Sequence, residues 1–277
     1  MTMLIFISGL LLALLTLVPL SVKWELEKKI TLPATVIIGI LSGSIVCGIF
    51  AFWSLSFYQA ILLELILIGA ISSLLLLWRF YRDPERVPPA DEKVILSPAD
   101  GQIKYIKIIE EGQIPFSEKK GRTFSLVDFV KADVLPKGGY LIGISMTYLD
   151  VHVNRAPISG RVSLLKHIKG DFISLKKKEA VVQNERNLII IDNEQFKLGI
   201  VQIASRLVRK IIPYIKEGQE IQKGTRIGVI RFGSQVDVIL SDLPSIRINV
   251  NPGEKVKAGL SIIATVEEPD KTCQVHG

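Results

Sequence analysis

Arg79-Phe80-Tyr81-Arg82-Asp83-Pro84-Glu85-Arg86-Val87-Pro88-Pro89 divides this 277-residue chain into two unlike parts. Its charges suit water. Its prolines lack a main-chain donor and restrict the residue before them, so neither a helix nor an inner strand runs through it. It reads as a linker. Upstream lie long apolar runs almost free of charge, and downstream lie short β-branched runs separated by Gly, Asn and Asp. The expected organisation is therefore a membrane region, residues 1–80, and a second domain, residues 81–277.

Upstream, residues 1–22 carry no charged side chain. A helix of that length rises about 33 Å, enough to cross a hydrocarbon core of about 30 Å. A cleaved signal peptide is the rival reading, but no Lys or Arg precedes the run and no small-x-small site closes it before Lys23. Residues 30–78 hold one charge, Glu64, and are too long for a single crossing. Two helices with a break at 53–59, where aromatic and polar residues cluster, resolve this. Three spans place Lys23, Lys28 and Lys29 on the same side as Arg79, Arg82 and Arg86. By the positive-inside rule that side is the cytoplasm, so everything after Arg79 is expected on the cytoplasmic face of the cell (inner) membrane. Glu64 lies near the proposed break and is expected to snorkel rather than to act inside the bilayer.

Composition agrees. The chain is 48% hydrophobic with a mean hydropathy of +0.38, too apolar for an ordinary soluble enzyme, and disorder and collagen-like fibres are excluded. The net charge of +7 favours an anionic partner, nucleic acid or a phospholipid surface. Lys176-Lys177-Lys178 lacks interleaved aromatic residues and any nucleic-acid motif, so a solvated or lipid-facing surface is the better reading and no nucleic acid is expected. The two cysteines, Cys47 and Cys273, support neither a disulfide framework nor a zinc site.

Downstream, β-branched runs at 102–109, 140–147, 161–167, 188–191, 199–204, 226–230 and 236–240 predict strands, with 125–131 and 205–212 as short helix candidates. Lys216-Glu217-Gly218-Gln219-Glu220-Ile221-Gln222-Lys223-Gly224 is echoed by Asn251-Pro252-Gly253-Glu254-Lys255-Val256-Lys257-Ala258-Gly259. Each reads as a turn, an inward aliphatic residue and a second turn. Such hairpins resemble those of lipoyl and biotinyl carrier domains. The expected fold is N-terminal transmembrane helices followed by a β-rich (α+β) domain with barrel-sandwich, lipoyl-like hairpins. A carrier needs a modifiable lysine between its halves, yet that position reads Arg231-Phe232-Gly233-Ser234-Gln235-Val236-Asp237.

His152 stands in Asp150-Val151-His152-Val153-Asn154-Arg155-Ala156-Pro157, where alternation puts Asp150, His152 and Asn154 on one face. His167 and His276 have no comparable setting and read as structural or surface residues. Asp100 lies in the turn Ser97-Pro98-Ala99-Asp100-Gly101, for which an Asx-turn suffices by itself. Gly233-Ser234 alone marks a loop. Together, a serine, a histidine and an aspartate are the parts that activate a hydroxyl nucleophile. No G-x-S-x-G elbow, phosphate loop, H-E-x-x-H helix or G-x-G-x-x-G turn is present, so no metal or common cofactor is expected.

The motifs then fall into a familiar order: Phe80-Tyr81-Arg82-Asp83-Pro84-Glu85-Arg86, Leu96-Ser97-Pro98-Ala99-Asp100-Gly101, Leu149-Asp150-Val151-His152-Val153-Asn154-Arg155-Ala156-Pro157, Asn184-Glu185-Arg186-Asn187, Gln202-Ile203-Ala204 and Arg231-Phe232-Gly233-Ser234. Through the whole second domain the chain resembles the phosphatidylserine decarboxylase proenzyme family, in its shorter branch. The resemblance implies self-cleavage between Gly233 and Ser234, which gives a β chain, residues 1–233, and an α chain of 44 residues, 234–277, headed by a pyruvoyl group made from Ser234. That group would be the electron sink for converting phosphatidylserine to phosphatidylethanolamine, with the lipid met at the membrane surface. It implies further that His152 serves as base or acid and Asp100 as its orienting partner.

Longer-branch members have a second histidine three residues after the first and a Leu-Gly-Ser-Thr cleavage site. Here Arg155 and Phe232-Gly233-Ser234-Gln235 stand in those places, so His152 is left to serve both steps. Arg155, always cationic, is a candidate for the lipid phosphate or the departing carboxylate, with Asn154 beside it. Two alternatives are a decarboxylase of another serine-headed lipid, such as archaetidylserine, and a non-enzymatic membrane adaptor with a lipoyl-like barrel. A homo-oligomer is compatible with each reading.

Overall fold

The computed structural model describes residues 2–53, 55–109, 116–119, 122–125, 139–168, 185–204, 210–231, 234–241 and 246–267. It divides into two compact units, Met1–Arg82 with Thr147–Leu149, and Asp83–Met146 with Asp150–Gly277.

The first unit is built on α1 (Thr2–Lys23), α2 (Lys28–Phe52) and α3 (Phe57–Tyr81), each long and apolar enough to cross a membrane. The break between α2 and α3 falls where the aromatic cluster predicts it. Ser56 closes it with a capping box: its hydroxyl accepts the Gln59 N–H at 3.4 Å and its own N–H donates to Gln59 Oε1 at 2.9 Å. The helices α1 and α2 cross at glycines. A Cβ on Gly9 would stand 2.9 Å from Gly43 Cα, and one on Gly39 would stand 2.9 Å from Leu10 Cα. Only glycine permits this approach, the small-xxx-small solution for packing where water supplies no drive. Glu64 differs from expectation. It is fully buried and accepts a hydrogen bond from Ser8 Oγ at 2.8 Å, because α1 offers a hydroxyl where snorkelling would require an exposed route.

The second unit is β-rich. Its strands are β1 (Val94–Leu96), β2 (Gly101–Ile109), β3 (Phe116–Lys119), β4 (Arg122–Ser125), β5 (Gly139–Met146), β6 (Val153–Arg155), β7 (Gly160–Ile168) and β8 (Arg186–Asp192). They continue with β9 (Lys197–Ala204), β10 (Lys210–Pro213), β11 (Glu220–Ile221), β12 (Arg226–Arg231), β13 (Ser234–Ser241), β14 (Ile246–Ile248), β15 (Lys255–Val256) and β16 (Ile262–Val266). An eight-stranded antiparallel sheet runs β11-β7-β8-β9-β13-β5-β2-β15, flanked by the three-stranded sheets β1-β16-β14 and β10-β12-β6. Its middle strands are buried on both faces, which is why they read as continuous apolar runs. Val236, Val238, Ile142, Ile144 and Ile200 face the larger core, and Ile239, Leu141, Val201, Leu188 and Ile190 face a second one.

The two hairpins belong to a wider internal repeat. Gly218 and Gly224 have φ of 82° and 84°, and Gly253 and Gly259 have φ of 94° and 70°, the left-handed region that glycine enters without a Cβ penalty. The Gly218 N–H donates to Val162 O and the Gly253 N–H to Ile103 O, while Gly224 donates to Ala156 O and Gly259 to Ser97 O. The same bulge interrupts β2 between Ile103 and Tyr105 and β7 between Val162 and Leu164. Thus β1 and β2 correspond to β6 and β7, and β14 to β16 correspond to β10 to β12. Of the helix candidates, 210–212 belongs instead to β10, paired along β12, and Ser125 ends β4. The remainder of both, 126–131 and 205–209, lies outside the described residues.

Candidate active site

His152 comes immediately before β6, which pairs with β12 through Val153 and Val229. The Ile230 N–H donates to its main-chain oxygen at 3.2 Å. The ring is 1% exposed, and Nδ1 lies 2.9 Å from Asp150 O. A carbonyl only accepts, so Nδ1 carries the proton and Nε2 is the basic nitrogen. Burial pushes the imidazole down to about 4; the Asp150 carbonyl and the charge of Asp100 act in the opposite direction but do not prevail. His152 is neutral at pH 7, the protonation state of a base.

Asp100 closes the turn that begins at Ser97, whose hydroxyl donates to Ala99 O at 2.7 Å. Its carboxylate is held from two sides. Arg86 donates from Nη1 to Oδ1 at 2.5 Å and from Nη2 to Oδ2 at 2.9 Å, and the Ala258 N–H donates to Oδ1 at 2.8 Å. Arg86 Nη1 also reaches Ala258 O at 2.7 Å. The paired side chains are 7% and 9% exposed, so this is a buried bidentate ion pair. The linker residue Arg86, which the sequence reading gave no role in the site, is therefore the group that fixes Asp100. Asp100 acts on His152 through its field.

Arg155 and Asn154, the candidates for the lipid phosphate or the departing carboxylate, take part in hydrogen-bond networks within the protein. The Arg155 guanidinium is buried and donates to Asp83 Oδ1 at 3.2 Å, Pro84 O at 3.0 Å and Gly224 O at 3.2 Å. It fastens the linker to a hairpin glycine, and Arg226 grips the same Asp83 at 2.6 Å. Asn154 is fully buried; its Oδ1 accepts from Gln202 Nε2 at 2.8 Å, and Gln202 Oε1 accepts from Asn187 Nδ2 at 2.8 Å. This row crosses β6, β9 and β8. Asn154 Nδ2 and Asn187 Oδ1, at its two ends, are buried without a hydrogen-bond partner. Gln202 and Asn187 were visible in the sequence as polar residues inside apolar strands, the signal that marks them.

Ser234 is the first residue of β13, in register with Met146 of β5 and Ala204 of β9. Strand β12, in a three-stranded sheet, ends at Arg231, and Phe232 and Gly233 lie outside the described residues. Between Arg231 and Ser234 the chain thus leaves a small sheet and enters the centre of the large one. His167, read as structural, pairs its Nε2 with Glu185 Oε1 at 3.1 Å. His276 and Lys176-Lys177-Lys178 lie outside the described residues.

The pattern of the phosphatidylserine decarboxylase family matches residues 74–264. A provisionally named archaetidylserine decarboxylase proenzyme of Methanothermobacter thermautotrophicus is 38% identical over 198 residues, 72% of this chain and 84% of its own. Its namesake in Methanocaldococcus jannaschii is 44% identical over 197 residues, 71% of this chain and 93% of its own. A phosphatidylserine decarboxylase proenzyme of Erythrobacter litoralis is 37% identical over 198 residues, 68% of this chain and 72% of its own. The matched span contains Arg86, Asp100, His152 and the Gly233-Ser234 pair, and the chain belongs to the phosphatidylserine decarboxylase family.

Proposed function

We propose that the chain cuts itself between Gly233 and Ser234 and, with the pyruvoyl group so formed, decarboxylates phosphatidylserine to phosphatidylethanolamine on the cytoplasmic face of the inner membrane. The observation that supports this reading is that Ser234 heads β13, soon after β12 ends at Arg231, with neutral His152 bonded to β12 at Ile230.

In the cleavage, His152 Nε2 takes the proton of Ser234 Oγ, which attacks the Gly233 carbonyl carbon and moves the acyl group from nitrogen to oxygen. Loss of the Ser234 Cα proton then expels Gly233 as a carboxylate, and the dehydroalanine left behind takes up water and releases ammonia. Glycine before the serine keeps the carbonyl open to attack. Asp100 favours the imidazolium through its field while Arg86 keeps the carboxylate in place. Arg155 and Asn154 enter as positioning residues, holding the linker and the strand that carries His152.

The residues fit a terminal prosthetic group. A new N-terminus at Ser234 heads a strand bonded on one side to β9 and on the other to β5, so the 44-residue fragment stays in the fold after the cut. Once formed, the group supplies the electron sink for loss of carbon dioxide. His152 Nε2 is the protein group offered for the proton that replaces it. The paired hairpins are read as barrel-sandwich corners like those of lipoyl domains, their strands β11 and β15 closing the two ends of the large sheet. The basic residues after α1 and α3 support the cytoplasmic placement.

The test is release of carbon dioxide and phosphatidylethanolamine from phosphatidylserine by the purified wild type and by Ser234→Ala. Activity in the wild type alone supports the reading, and its absence from a cleaved, folded wild type contradicts it. The names of two relatives favour a second substrate, archaetidylserine. Alkaline hydrolysis of lipids from overproducing cells separates the two, since ester chains are released and ether chains are not.

A further inference from the structure

Three helices exceed what a tether requires, and the first unit holds a feature that uses all of them. A cavity of about 290 Å³ lies among the end of α1, the start of α2 and the end of α3, close to the lower bound of about 300 Å³ common for small-molecule sites. Leu20, Ile38 and Leu76 line it, with Trp24, Trp78 and Arg79. Hydroxyl-bearing residues are present in the wall, but Ser21, Thr35 and Ser72 donate to carbonyls of their own helices at 2.8, 2.8 and 2.7 Å. What remains for an occupant is an apolar surface, the Ser73 side chain and one cation. Arg79 Nε is buried with no hydrogen-bond partner.

We propose that this cavity is a subsite for the lipid substrate, seating the upper part of a hydrocarbon chain while the Arg79 guanidinium holds the phosphate; the inference rests on the function proposed above. A phosphate joined to an apolar chain complements a guanidinium beside an apolar wall, and the planar fork suits phosphate oxygens. Trp24 and Trp78 set the depth, since indoles concentrate at the level of lipid head groups. Leu149 also lines the cavity, in a tripeptide, Thr147–Leu149, that clusters with the helices; Tyr148 meets Trp24 edge to face at 5.2 Å, and Arg82 Nη2 donates to Leu149 O at 3.1 Å. Leu149 precedes His152 by three residues in the chain. On this proposal the helices select substrate as well as anchor the enzyme.

The test uses the full-length, self-cleaved enzyme in mixed micelles, with Arg79→Gln, Arg79→Lys and the cavity-filling Ala34→Phe, each first checked for release of the 44-residue fragment. Two substrates are compared: the two-chain phosphoserine lipid that the wild type turns over, and glycerophosphoserine, which has the head group and no chains. Ala34→Phe is expected to raise KM for the lipid about tenfold at constant kcat and to leave glycerophosphoserine unaffected. Arg79→Gln is expected to raise KM for both by a similar factor, with Arg79→Lys recovering part. Unchanged KM values in both variants of an active enzyme, or a fall in kcat alone, overturn the subsite. A cleaved wild type that turns over neither substrate overturns the proposed function, and the subsite with it.

Discussion

Asp100 and Ser159 occupy the same place in the two copies of the internal repeat. Asp100 Oδ1 accepts the Ala258 N–H at 2.8 Å, and Ser159 Oγ accepts the Lys223 N–H at 3.0 Å, each from the residue before a hairpin glycine of positive φ. The shared duty is structural, an acceptor for the hairpin turn, buried at Asp100 and exposed at Ser159. What Asp100 adds is charge, paired with Arg86 and felt by His152.

Asp100→Ser, which copies the second half of the repeat into the first, separates these duties. The hairpin keeps an acceptor, but Arg86 loses its carboxylate in a buried setting, and breaking such a pair costs about 3–5 kcal/mol. Thermal unfolding should fall accordingly, and self-cleavage should slow. Adding Arg86→Met should recover most of the stability without restoring the cleavage rate. Full recovery of both would show that the Asp100 charge has no part in the chemistry.

The pH dependence follows from His152. Its folded pKa, about 4, lies below the ordinary value of 6.5, so the unfolded chain binds the additional proton between these values. The stability due to this residue is complete above about pH 6.5 and is lost as pH falls toward 4. The base stays neutral over the same interval, so single-turnover cleavage of freshly made precursor should hold its rate from pH 8 to about pH 5 and fall near pH 4. A midpoint near 6.5 would mean that the ring is hydrated. His152→Ala should leave an uncut precursor.

The glycine crossing predicts a size limit. Gly43→Ile puts a branched side chain where a Cβ already lies 3.0 Å from Phe6 O, so α1 and α2 must separate. Protease protection of the helical region in detergent should fall sharply, whereas Gly48→Ala, at a position with open space, should have no effect. Equal protection in both would remove the crossing from the account.

Glu64 predicts a preference for polarity. Glu64→Gln retains an acceptor for Ser8 and should preserve helix packing, while Glu64→Leu strands the hydroxyl with its bond to Ile5 O alone. Unfolding in detergent is expected to separate them by about 1 kcal/mol.

Much of this was legible in the residues. The span break at 53–59 and the main strands follow from hydropathy and β-branching, and the hairpins at 216–224 and 251–259 from their glycines. The first half of the repeat was not visible, because Ser97-Pro98-Ala99-Asp100-Gly101 and Ala156-Pro157-Ile158-Ser159-Gly160 share only a proline and a glycine, and what they have in common is main-chain hydrogen bonding. The partners of Arg155 and Asn154 were not legible, because polarity in a motif signals chemistry or a buried network equally; the structure supplies Asp83 for one and Gln202 for the other. The distances from Arg86 to Asp100 and from Ser8 to Glu64 along the chain hide both pairs from local patterns.

The most direct measurement is the intact mass of the purified protein beside a Ser234→Ala control. The account predicts two chains in the wild type, residues 1–233 and a 44-residue fragment whose N-terminus is pyruvoyl in place of serine, and one chain in the control. A folded wild type that remains a single chain of 277 residues would contradict it.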